Sequence, residues 1–179
     1  IIAQGLEAGG HRGSFKTENV SRSLVGLFAL LPAVVDAVKV PVVATGGIAD
    51  ARGVAAGLLL GASAVQIGTG LLRTPEAKIA SAWADAIGTA LPEDTVTTRA
   101  FSGRFGRSIR NAYTEAAEKG PIPAPYPIQR NITKAMRAGA TDIDRMQAWA
   151  GQSAGLTRAE PAAELISNLW SAAKELLIS

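Results

Sequence analysis

His11 is the only imidazole in a chain of 179 residues, and it stands in the run Gln4-Gly5-Leu6-Glu7-Ala8-Gly9-Gly10-His11-Arg12-Gly13. Imidazole titrates near neutral pH, so it can serve as a proton acceptor or as an anion partner. A histidine in an ordinary loop is more often solvated or structural. Here the flanking Gly9, Gly10 and Gly13, and the position after a strand, favour the chemical reading. Gln4 offers a donor and an acceptor to the polar edge of a flat heterocycle. Gly9 and Gly10, without a Cβ, would let such a ring approach the backbone. Glu7 reads as a structural hydrogen-bonding residue, and Arg12 as either a surface charge or a phosphate neighbour.

Two further glycine pairs close apolar runs. Gly46-Gly47 follows Val40 to Thr45, and Gly68-Thr69 follows Ala64 to Ile67. Each has a helix start close behind it, and bare backbone N–H groups at such turns bind anions. One pair reads equally well as a tight turn. Two in succession favour a phosphate cradle, to which Thr69 would add a hydroxyl.

The elements that must position these groups are legible in outline. Ile1 to Gln4 predicts a buried strand, followed by a Gly-rich loop over 5–13 and a polar loop over 14–23. Leu24 to Leu31 is apolar and ambiguous, while Pro32 fits the first turn of a helix reaching about Val38. Strands are expected at 40–45 and 64–67, with a helix between them capped by Asp50 and ended by Gly61. Thr74-Pro75-Glu76 reads as a helix start with Thr as cap. This strand-helix rhythm means parallel βαβ units and an α/β fold. Residues 89–130, rich in Thr, Arg, Gly and Pro, read as a surface excursion or lid. A last helix is expected after the capping-box spacing of Thr157 to Glu160, with Leu165, Leu169, Ala173 and Leu176 on one face. The divisions are thus 1–88, 89–130 and 131–179.

Composition narrows the function classes. The formal charge is +3 and scattered, which is no nucleic-acid footprint. With no cysteine and one histidine, disulfides and thiolate metal sites are excluded and other metal binding is not expected. No apolar run approaches the roughly 20 residues needed to span a bilayer. No basic segment with a following apolar run marks a secretory signal, so the cytoplasm is the expected compartment. The chain opens inside an apolar stretch, Ile1-Ile2-Ala3, and reads as a fragment whose N-terminal portion lies elsewhere.

The phrases AQGLEAGGHRGSF and PVVATGGIADARGVAAGLLLGASAVQIGTGLLRTPEA, with FSGRFGRSIRN, PYPIQRNITKAMR and QAWAGQSAGL further on, resemble the nitronate monooxygenase (2-nitropropane dioxygenase) family. EAGGH is shared with FMN-dependent enoyl-ACP reductases and NAD(P)H:quinone reductases; HRGSF and the late WAGQ favour the nitronate oxidisers. The resemblance implies the C-terminal part of a TIM (β/α)8 barrel, its last three strands, with a C-terminal helical extension. About five of the barrel's strands would then lie outside the chain. It implies FMN as cofactor, contacted by Gln4, Gly9 and Gly10. The phosphate would fall to Gly46 and Gly47, with Gln66, Ile67, Gly68 and Thr69 completing the cradle. His11 would be the base for a neutral nitroalkane and an anion partner for a ready-made nitronate. The implied reaction takes a nitronate and O2 to a carbonyl compound and nitrite. Tyr126 and Lys134 are substrate-side candidates, with a loop aromatic and a solvated lysine as their plain readings. Gln152 is a candidate site neighbour and Trp149 a packing residue. The rival functions are an NAD(P)H-dependent reductase of the same fold and a non-redox phosphate-binding barrel.

Overall fold

A computed structural model describes residues 1–14 and 17–178. Phe15, which closes the HRGSF phrase, and part of the expected 14–23 loop lie outside the described residues. In chain order the elements are β1 (Ile2–Gln4), β2 (Gly10–His11), α1 (Leu27–Ala37), β3 (Val43–Thr45), α2 (Ala51–Leu59), β4 (Ala64–Gln66) and α3 (Ser81–Thr89). They continue with β5 (Thr95–Thr98), β6 (Gly106–Ile109), α4 (Ala112–Lys119), α5 (Ile128–Ile132), α6 (Lys134–Ala138) and α7 (Ala162–Ile178). No helix among the described residues is long and apolar enough to cross a membrane.

The expected parallel α/β unit is present as a three-stranded sheet in the order β1-β3-β4. Because side chains alternate along a strand, register decides what each face carries. Ala3 pairs with Ala44 and Ala44 with Val65, facing the helices. There they join Leu27, Leu31, Val42, Ile48, Val54 and Ala173 in a buried cluster. Gln4, Thr45 and Gln66 align as the next row along the same sheet, at the strand ends.

Helix ends explain several departures from the sequence reading. α1 starts at Leu27, so Pro32 sits inside the helix and not in its first turn. The start is set from a distance: both Glu7 carboxylate oxygens accept from Leu27 N–H, at 3.0 and 3.2 Å. Asp50 caps α2 as expected, accepting from Gly53 N–H at 3.0 Å, and Gly61 follows it at φ +98°. Thr74 caps nothing, because its hydroxyl donates to Leu71 O; Pro75–Ala77 is one 3-10 turn, ended by Lys78 at φ +50°. Thr157 likewise does not cap α7, whose Ala162 N–H is taken by the carboxylate of Glu76. Residues 17–23, part of the expected loop, form a 3-10 helix.

Composition gave no notice of a second sheet. β2, β6 and β5 form an antiparallel sheet in that order, pairing His11 with Gly106 and Gly10 with Arg107. Phe101 and Ile87 are fully buried in this half, each removal from water stabilising by about 1.5–3 kcal/mol.

Candidate functional site

A cavity of about 380 Å³ opens at the ends of the parallel strands. Its wall includes the aligned row Gln4, Thr45 and Gln66, with Gly9, Gly46, Gly47, Gly68 and Thr69. Its size lies within the range of roughly 300–1,000 Å³ usual for small-molecule pockets. Seven of the sequence candidates are thereby brought to one place. Gly13, noted in the sequence as a flank of His11, also lines it, as do Ala8, Ile48, Gly151 and Ser153, which the residue types alone did not mark.

The glycines have different reasons. Gly46 (φ +105°) and Gly47 (φ +72°) hold left-handed backbone, and a Cβ on Gly46 would stand 3.0 Å from Ala8. The pair thus seats the 5–9 loop as well as baring amides. A Cβ on Gly9 would meet the Ala150–Gly151 backbone at 2.6 Å, so Gly9 is small for that chain crossing. Gly68 is the opposite case: a Cβ there would meet nothing within 4 Å, and the residue faces the cavity. Gly10, at φ +75°, also has open space around its missing Cβ, yet it does not line the cavity.

Segment 149–153 threads between these loops. Gly151 N–H donates to Thr69 Oγ1 at 2.9 Å, and Gln152 N–H to Glu7 O at 2.9 Å. This is the local signal that Gly151 carries: two backbones cross where neither has a side chain. Gln4 ties the cavity to the histidine loop, its Nε2 donating to His11 O at 3.0 Å and its Oε1 accepting from Gly13 N–H at 2.8 Å. One amide N–H and one lone pair of Gln4 remain for a ligand.

His11 itself stands beside the cavity and not in its lining. Its Nε2 lies 2.7 Å from Ser102 Oγ, which can donate to Arg104 O and accept from Arg104 N–H. Which of the two donates across this contact follows the tautomer of the ring: Nε2–H gives to Ser102 Oγ when the proton is on Nε2, and Ser102 O–H gives to Nε2 when it is on Nδ1. Trp149 packs against the ring at 5.2 Å between centroids and Tyr126 edge-on at 6.2 Å. Gly106 makes room for Trp149, since a Cβ would come within 2.9 Å of the indole. Burial lowers the His11 pKa, and the positive charges of Arg104 and Arg130 lower it further. The imidazole is therefore held neutral, which suits a base; an anion partner here would draw its positive charge from the arginines.

Two sequence candidates lie elsewhere. Ile67 packs against the core behind the sheet. Lys134 is exposed in a separate hollow with Arg130, Asn131 and Arg137.

The cavity suits a phosphate-bearing flat cofactor. The backbone of Gly46, Gly47 and Gly68 lines it, and the space at Gly68 is one that a Cβ would fill. No group of His, Asp and Glu able to hold a metal occurs among the described residues.

Comparison with known proteins agrees with this geometry. The family model for nitronate monooxygenase matches residues 1–172. A probable nitronate monooxygenase of Staphylococcus aureus (strain MSSA476) is 41% identical, covering 99% of this chain and 51% of the relative. The nitroalkane oxidase from Streptomyces ansochromogenes superposes with a TM-score of 0.90 at 39% identity, over 99% of this chain and 53% of that one. FabK from Thermotoga maritima superposes at 0.81 with 32% identity, over 99% of this chain and 55% of its own. The chain thus spans about half the length of the relatives it matches.

Proposed function

From the premise that this chain belongs to the nitronate monooxygenase family, we propose that the whole protein oxidises alkyl nitronates with O2 to a carbonyl compound and nitrite, using FMN. The observation that carries the proposal is the shared cavity wall: the polar strand-end row and the glycine backbone sit one loop away from a neutral histidine. In this reading β1, β3 and β4 are the last three strands of a (β/α)8 barrel, and their carboxyl ends form the working face. The segments 1–88, 89–130 and 131–179 then act as barrel units, cover and helical extension of one cytoplasmic enzyme.

Gly46, Gly47, Gly68 and Thr69 would hold the phosphate, with Gln66 completing the cradle, and the spare donor and acceptor of Gln4 would meet the ring edge. Ile67, Gly9 and Gly10 support this cradle by shaping backbone. When bound, FMN supplies the one-electron chemistry with O2. In the tautomer protonated at Nε2, whose N–H gives to Ser102 Oγ, His11 Nδ1 would take the α-proton of a neutral nitroalkane. Arg104 and Arg130 attract an anionic nitronate to the same ring. Tyr126 walls the approach. Lys134, in its separate hollow, does not reach this ring and stands as an outer cation.

A second reading, a reductase drawing hydride from NAD(P)H, is favoured by that cation-rich hollow of Arg130, Lys134 and Arg137, which suits a nucleotide phosphate. The test is the flavin spectrum of the FMN-loaded protein without oxygen, titrated with an alkyl nitronate and separately with NADH. Bleaching by the nitronate alone supports the oxidase reading. Bleaching by NADH alone moves the protein to the reductase. Failure to bind FMN at all would leave a non-redox phosphate enzyme.

A further inference from the structure

The loop from Gln4 to Ser14 is held by arginines that have no carboxylate partner among the described residues. Arg12 is buried, 4% exposed, with Nη1 donating to Gly5 O at 2.8 Å and Nη2 to Gln4 O at 3.2 Å. Arg107, 6% exposed, donates from Nε to Leu6 O at 3.0 Å and from Nη1 to Thr95 Oγ1 at 2.9 Å. Arg104 donates to Arg12 O and Ser14 O. Three successive carbonyls leaving β1, those of Gln4, Gly5 and Leu6, thus end on two buried guanidiniums.

Among the described residues none of these three arginines is within salt-bridge distance of a carboxylate. Glu7 is the acid whose charge reaches Arg12 and Arg107, and its oxygens are committed to Leu27 N–H. Among the described side chains, three cations against one anion give the loop a positive surplus. Arg12 Nε is also buried without a partner. Burying uncompensated charge is costly, and proteins ordinarily pair it. Carbonyl dipoles soften the cost but do not neutralise it. The charge stands directly behind the cavity: Gln4, which Arg12 holds, and Gly13, its neighbour in the chain, both line the wall.

We propose that Arg12 and Arg107 are positioning residues that fix the end of β1 and keep a standing positive potential behind the cavity, so that it prefers the anionic, reduced form of its flavin over the neutral oxidised form. Fixed charges in a partly dry site act without reorganising when the ligand changes charge. Glu7 tunes the same potential in the opposite direction. This inference rests on the flavin reading above.

The experiment compares affinities for oxidised FMN and, without oxygen, reduced FMN in the wild type, Arg12→Met, Arg12→Lys and Glu7→Gln. One charge acting over about ten ångströms in a medium of effective dielectric about 20 changes the ratio by about tenfold, or about 30 mV for a two-electron couple. Arg12→Met should lower the preference for reduced FMN by about that factor, and Arg12→Lys should restore most of it. Glu7→Gln keeps an oxygen for Leu27 N–H and should raise the preference. Ratios that stay unchanged, or that move in one direction for both charge changes, overturn the proposal. Should Arg12→Met fail to fold, the sign of the Glu7→Gln shift decides. A wild type that binds no FMN overturns the flavin reading as well, whereas FMN bound with an insensitive ratio overturns this inference alone.

Discussion

His11 is kept neutral by burial and by two arginines that do different structural jobs. Arg104 is half-buried and braces the carbonyls of Arg12 and Ser14, so removing it disturbs the loop. Arg130 is exposed, and its side chain can be changed with little effect on packing. A base must be unprotonated, so turnover of a neutral nitroalkane should persist below the ordinary histidine range and fail as pH falls through the lowered pKa. Arg130→Gln removes one repelling charge and raises that pKa, so the acid limb of the kcat/KM profile should move to higher pH. A limb that does not move would mean the titrating group is not His11. His11→Asn should cost about 10²–10⁴-fold on the neutral nitroalkane but much less on a preformed nitronate, which needs no proton removed. A separate residue-scale test divides the glycines. Gly68 has open space and φ −103°, so Gly68→Ala should leave the melting temperature unchanged while weakening FMN binding. Gly9→Ala drives a Cβ into the 150–151 backbone and should destabilise by about 1–3 kcal/mol. Thermal melts set beside FMN titrations separate the two.

At the scale of elements, what the sequence made legible was whatever local chemistry decides. The alternation of β-branched runs with Asp50 and Gly61 located β3, α2 and β4, because cap and stop lie within a few residues of what they act on. Caps supplied from afar were not legible. Glu7 begins α1 across 20 residues and Glu76 begins α7 across 86. Local candidates such as Pro32 and the Thr157 spacing therefore pointed to the wrong boundaries. β5 and β6 were hidden for another reason: Thr95–Thr98 and Gly106–Ile109 are mostly polar, and their burial comes from buried arginine and serine bonds and not from apolar alternation. The Glu76 cap makes a definite prediction. A bond from its own backbone N–H and, after it, those from Ala162 N–H hold the carboxyl below its ordinary pKa. The stabilisation is present above the ordinary glutamate range and is lost as pH falls through the lowered value. Hydrogen exchange at the first turn of α7 should therefore quicken at acid pH in the wild type. In Glu76→Ala it should already be fast at neutral pH, with the rest of the helix less affected. Equal protection in both proteins would show that Pro161 and packing against α2 fix that end without the cap.

For the molecule as a whole, the question is how two differently built halves are made to share one site. The parallel sheet keeps its core behind β1, β3 and β4, while the other half packs Ile87, Ile109, Ala148, Ala150 and Ala154 separately. The seam between the two clusters is polar and narrow, formed by the arginine-braced loop and by segment 149–153. Several candidates at the strand ends were readable because they are local exceptions, glycines or a lone histidine, while Gln66 and Ile67 followed from the family resemblance. The seam was not, because Ala8, Gly151 and Ser153 acquire meaning only where chain crosses chain. Thr69 is where the seam can be tested. Its hydroxyl accepts from the buried Gly151 N–H, and removing it leaves a donor without a partner at a cost of about 1–3 kcal/mol. Thr69→Val keeps the shape and deletes the acceptor; Thr69→Ser keeps the acceptor and trims a methyl. If the seam couples the halves, Thr69→Val should lower the denaturation midpoint with one transition and an unchanged slope, and Thr69→Ser should stay close to the wild type. Two separated transitions in Thr69→Val would show that the halves fold as independent units once this bond is gone. Equal midpoints in all three proteins would place the coupling in the arginine-braced loop instead, where Arg107→Lys, which keeps the charge but cannot reach Leu6 O and Thr95 Oγ1 together, should then produce the split.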